Sequence, residues 1–156
     1  MRTQKNATDQ CIGRGYVPGL IGAVAQLHGS YYAAAWGSGA PFEALMAREF
    51  CDFIENYDPQ RDLVLHASQD GRLVGSVSIL GRAPGPDGVQ LRFFIVDPAC
   101  HGRGLGKALL RQALDWCRER GHRKVFLWTV DNLPQSRGLY EKAGLCVVER
   151  CPDARY

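Results

Sequence analysis

Along this chain the spacing of apolar positions changes several times, and each change marks an element. From Pro18 onward, Leu20, Ile21, Val24, Leu27 and Tyr31 recur on one helical face, and a second such face follows at Phe42, Leu45, Met46, Phe50, Phe53 and Ile54. Two helices therefore open the fold. LVLHA (63–67) and RLVGSVSIL (72–80) read as strands joined at Asp70-Gly71, which supply the positive backbone angles of a tight hairpin. After APGPDG, read as a loop, VQLRFFIV (89–96) is a third strand rich in branched and aromatic residues, ended by Asp97 and Pro98. Residues 104–120 make the strongest helix, with Leu105, Ala108, Leu109, Ala113, Trp116 and Cys117 on one side and Gly121 as its C-terminal cap. VFLWTV (125–130) is a strand, PQSRGLYEKAG (134–144) a short helix and LCVVE (145–149) a last strand. The order ααβββαβαβ predicts an α/β fold with a mixed sheet flanked by helices, its parallel pair on either side of the long helix.

Composition narrows the class. A chain of 156 residues that is 46% apolar supports one domain, read as residues 12–156 behind a polar, mobile segment 1–11 that lacks the apolar run of a secretion signal. The apolar stretch from Val17 to Ala35 is broken by Gly19, Gly22, Gln26, His28 and Gly29, so no membrane span is expected. Lys and Arg exceed Asp and Glu by 19 to 16 with no basic run; this argues against a nucleic-acid partner and allows a ligand with a few phosphates. The six cysteines form no CxxC pair and no metal-ligand spacing with the four histidines, so no metal site is expected, and the thiols read as reduced in a cytoplasmic protein.

The densest signal is HGRGLGKALL, where Gly102, Gly104 and Gly106 fall between the third strand and the long helix. Bare backbone there lets several N–H groups converge in front of the positive end of a helix dipole, which makes an anion site. A Walker loop would need Gly at His101 and Ser or Thr at Ala108; a dinucleotide fingerprint would need Gly at Lys107. Both fail.

VDPACHGRGLGKALL resembles the cofactor loop of the GCN5-related N-acetyltransferases (GNAT), whose pattern is Gln or Arg, two residues, Gly, one residue, Gly or Ala. Gly104 and Gly106 match, and His101 stands at the Gln/Arg position. SRGLYEKAGL (136–145) resembles the family's second signature. HGSYYAAAWG, FIENYDPQRD and QLRFFIVD are similar to the acetyltransferase half of bacterial proteins that fuse a MarR-type DNA-binding domain to this fold; no helix-turn-helix precedes it in this sequence.

The resemblance implies a GNAT-like acyl-CoA N-acyltransferase fold and acetyl-CoA as co-substrate, with coenzyme A as product. It implies that His101, Gly102, Arg103, Gly104, Leu105, Gly106 and Lys107 meet the pyrophosphate, and that the main chain of Phe94, Ile95 and Val96 lies along the thioester arm, with a main-chain N–H there polarising the carbonyl. It implies that Tyr140 protonates the departing sulfur, a role a phenol of ordinary pKa near 10 can fill. His101 reads either as an exposed loop residue or as a phosphate contact. Asn132 is a further cofactor contact or a helix N-cap; counted back from Tyr140, it falls one residue before the family's asparagine. Many relatives carry a glutamate base on the strand, and QLRFFIV has no acid; Asp97 and Asp131 are the candidates, each equally readable as a turn cap. Tyr31, Tyr32, Trp36 and Trp128 are expected to wall the acceptor pocket. Cys100 is either an activated thiol or incidental.

The function implied is N-acetyl transfer to a primary amine on a small molecule or peptide; the alternative is a non-catalytic acyl-CoA-binding sensor. Ending at CPDARY, the sequence lacks the family's final strand. That leaves the sheet edge to a second copy of the chain, as a homodimer, or to the charges of Glu149, Arg150 and Arg155.

Overall fold

The computed structural model describes residues 12–129 and 134–149. The expected mobile segment 1–11, the candidates Asp131 and Asn132, and the CPDARY end lie outside the described residues. The elements run β1 (Ile12–Arg14), α1 (Leu20–Trp36), α2 (Ala40–Glu55), β2 (Leu63–Gln69), β3 (Arg72–Gly85), β4 (Gly88–Val96), a 3-10 turn (Pro98–Cys100), α3 (Leu105–Glu119), β5 (Val125–Phe126) and α4 (Pro134–Lys142). The strands lie in the order β1-β2-β3-β4-β5, antiparallel except for the parallel β4–β5 pair that α3 connects. This is the mixed sheet that the strand, helix, strand unit requires.

Alternation on the strands builds two cores, one on each face. Leu63 and Leu65 of β2 and Val89 and Leu91 of β4 pack against Leu105, Leu109, Ala113 and Trp116 of α3. On the opposite face Val64 meets Leu20 and Val24 of α1 and Phe50 and Phe53 of α2. Asp70 and Gly71 take φ of 52° and 76° at the β2–β3 hairpin, as its turn chemistry demands. Gly121 (φ 79°) closes α3, with His122 N–H donating to Cys117 C=O. The 58–62 loop is pinned to β3 through Asp62. Its fully buried carboxylate accepts from the main-chain N–H of Asp58, Gly81 and Arg82 and from Arg82 Nη1 at 2.8 Å.

Four expectations change. β1 was not predicted, because three residues with Gly13 at their centre carry no periodicity; it is held by pairing with Leu65–Ala67. APGPDG is not a loop throughout: β3 runs to Gly85 and β4 starts at Gly88, leaving a tight turn at Pro86-Asp87. Of the strand expected over 125–130, whose last residue lies outside the described ones, only Val125–Phe126 forms, because the ladder to β4 ends at Gln90↔Phe126. LCVVE forms no strand. Gly144 (φ 92°) ends α4 with Leu145 N–H donating to Tyr140 C=O, and residues 145–149 then meet no ladder among the described residues, with Val148 90% exposed.

Candidate active site

The site begins with an irregularity in β4. Between the pairs Ser78↔Arg92 and Ser76↔Ile95, β4 holds one residue more than β3, and Phe93 takes φ 52°. This is a β-bulge at a residue type for which positive φ is strained. The extra residue reverses the alternation. Val89 and Leu91 face α3, whereas Phe93 turns to the α1–α2 side and Phe94 and Val96 then face α3. Several contacts hold the strained residue in place. Ser76 Oγ donates to Phe93 C=O at 3.0 Å, the Phe93 ring packs edge-on to Phe50 at 5.0 Å, and the Arg92 guanidinium covers it at 4.7 Å. Strain of this kind persists where surrounding contacts over-determine it, commonly at functional sites.

Because the bulge bends β4 away from β5, the two strands part and a cavity of about 360 Å³ lies between β4, α1, α2, α4 and residues 127–129. Of the expected pocket residues, Tyr32, Trp36 and Trp128 line it, together with Phe94 and Tyr140. Tyr31 does not line it; its ring stands edge-on to Tyr32 at 5.0 Å and 6.4 Å from His101. Ile95 is core. The Tyr140 ring lies 5.8 Å from that of Phe94, and burial, with a smaller contribution from Tyr32, pushes its phenol well above the usual range.

At the end of β4 the glycine loop has the form an anion requires. Gly102 (φ 77°) and Gly104 (φ 81°) take left-handed angles with open space where a side chain would stand. Gly106 serves close approach instead: a Cβ there would lie 3.1 Å from Leu139 and 3.4 Å from Val96. No side chain caps α3 and no acid stands in its first turn, so its leading N–H groups face outward beside the exposed Arg103 and Lys107. Leu105 is buried in the core beneath. These features fit a diphosphate.

Two candidates have other duties. His101 Nε2 donates to Val96 C=O at 2.9 Å, tying the loop to the strand rather than serving simply as an exposed loop residue. Asp97 caps the 3-10 turn, accepting from Ala99 N–H at 3.0 Å, and lies 3.8 Å from Arg72; it does not line the cavity. Cys100 is buried, its thiol 3.6 Å from Gln69 Oε1.

Two functional candidates were missed in the sequence. Glu49 of α2 lines the cavity and pairs with Arg92 at 2.8 Å, bringing to β4 the acid that the strand lacks. His28 of α1 also lines it. Its Nδ1 donates to Val24 C=O at 2.8 Å, which leaves Nε2 as an acceptor, and burial lowers the imidazole from 6.5 to about 4. Position on a helix face was their only available signal. Between those two pKa values the unfolded chain binds the proton and the folded one does not. Stability is therefore lost as pH falls from about 6.5 to about 4, by on the order of 3 kcal/mol. Urea unfolding at pH 7 and 4.5 measures this, and His28→Phe is expected to flatten the dependence; an unchanged slope in the variant would refute it.

Comparison with known proteins agrees with this geometry. The acetyltransferase (GNAT) family model matches residues 22–145, and the chain belongs to that family. It is 35% identical over 92 residues to a mycothiol acetyltransferase of Beutenbergia cavernae, covering 59% of this chain and 30% of that protein. It is 38% identical over 88 residues to a glucosamine 6-phosphate N-acetyltransferase of Trypanosoma brucei brucei, covering 51% and 55%. The matched segment thus spans about half or less of these curated relatives. Among solved structures, an acetyltransferase of the GNAT family from Staphylococcus aureus superposes with a TM-score of 0.70 at 17% identity, over 92% of this chain and 89% of that one, a likeness of fold. Among the described residues no group of side chains could hold a metal ion, and no helix is long and apolar enough to cross a membrane.

Proposed function

We propose that the chain is an N-acetyltransferase that takes acetyl-CoA and passes its acetyl group to a primary amine by direct attack. The observation that carries this reading is the meeting of two features at the end of β4: an uncapped helix N-terminus behind Gly102, Gly104 and Gly106, and a cavity walled by the bulge and Tyr140. Acetyl-CoA would supply the acetyl thioester. The leading amides of α3, with Arg103 and Lys107, hold the diphosphate. Main-chain groups of Phe94, Ile95 and Val96, released from pairing with β5, orient the arm.

An ordinary phenol near pKa 10 is already a weaker acid than a thiol near 8.5, and burial weakens the Tyr140 phenol further. Tyr140 therefore acts by donating a hydrogen bond to the sulfur, with complete proton transfer uphill. The incoming ammonium, ordinarily near pKa 10.4, must lose a proton. Among the described cavity residues the Glu49 carboxylate and the neutral His28 imidazole can accept one, and the partial exposure of Glu49 beside the buried His28 favours Glu49.

Saturating acetyl-CoA is expected to raise the melting temperature by several degrees, and a panel of primary amines to release free thiol. Absence of both would overturn the reading. A melting shift with no thiol release from any amine would favour the sensor, which the absence of an acid on β4 first suggested and which Glu49 weakens.

A further inference from the structure

Resting on the transfer reading above, we propose that the acceptor is a primary amine carried on an aromatic or aliphatic body with no anionic group, in the simplest case an arylalkylamine. The α1–α2 wall of the cavity is a continuous ring surface: Tyr32 lies 4.7 Å from Trp36 and 4.9 Å from Phe42. Trp36 and Trp128, both on the cavity lining, are 40% and 53% exposed. Large apolar rings left in water around a cavity are what a ligand's apolar surface would cover. The volume, about 360 Å³, suits a small molecule.

Charge weighs against an anionic acceptor. Among the described residues the lining holds one cation, Arg92, whose guanidinium is 2.8 Å from Glu49 and 4.7 Å over the Phe93 ring. Its charge is already matched. A phosphorylated sugar would bring a dianion to a lining whose one cation among the described residues is already paired, and burying such a charge is costly. An ammonium instead meets the negative faces of the Tyr32, Trp36 and Trp128 rings. The site thereby differs in chemistry from what the name of the Trypanosoma relative requires of that protein's site.

The test measures kcat/KM for 2-phenylethylamine, tryptamine and glucosamine 6-phosphate at saturating acetyl-CoA. A preference of about 100-fold or more for the two arylalkylamines is expected. Because both indoles are substantially exposed, Trp36→Ala and Trp128→Ala should fold, as an unchanged melting shift with acetyl-CoA would verify. Each should raise KM for tryptamine about 10-fold, the scale of a lost aromatic contact. Equal or better turnover of glucosamine 6-phosphate, or no turnover of either arylalkylamine while acetyl-CoA still shifts the melting temperature, overturns the acceptor class. Failure of acetyl-CoA to bind the unaltered protein overturns the transfer reading, and this one with it.

Discussion

Tyr140→Phe is expected to lower turnover about 100-fold while weakening acetyl-CoA binding by no more than about 5-fold, the worth of one hydrogen bond. The substitution keeps the ring that packs 5.8 Å from Phe94, so the cavity wall is preserved and only the hydroxyl is lost. Steady-state thiol release and calorimetric titration separate the two effects. Because burial raises the phenol's pKa, Tyr140 keeps its proton throughout the working range, and any alkaline loss of activity in the unaltered enzyme belongs to another group. A variant that turns over within a few-fold of the original would remove Tyr140 from the chemistry.

The second large effect is on stability. Asp62→Ala should cost about 3 to 5 kcal/mol, because it strands the largely buried Arg82 guanidinium without its counter-charge and leaves the buried N–H of Gly81 without an acceptor. For a domain of this size that corresponds to a fall of roughly 10 °C in melting temperature. Asp62→Asn, which keeps an acceptor oxygen but not the charge, should fall between. Urea denaturation measures both, and a loss below about 1 kcal/mol for the alanine variant would mean that water replaces the carboxylate. Gly81 fixes the geometry, since a side chain there would collide with the Arg61 carbonyl.

Most elements were legible because burial on one face imposes a period: α1, α2 and α3 at helical spacing, β2, β3 and β4 by apolar and branched content. The glycine loop was legible for a related reason, since bare backbone ahead of a helix has few uses. The two failed strand readings share one cause. VFLWTV and LCVVE have strand-like composition, but a strand exists only where a neighbour supplies its ladder. The bulge removes that neighbour from residues 127–129, and among the described residues none reaches 145–149.

Residues close together in the chain were enough to read the family, most of the helices and strands and a glycine-rich turn ahead of α3. Only the tertiary structure decided that Phe93 reverses the alternation of β4, that the reversal opens a cavity, and that Glu49 and His28 stand in it. Those facts depend on contacts between residues 17 to 43 positions apart, such as Ser76 with Phe93 and Glu49 with Arg92. No local spacing records them: a bulge leaves the composition of its strand unchanged, and a helix face does not name what it will meet.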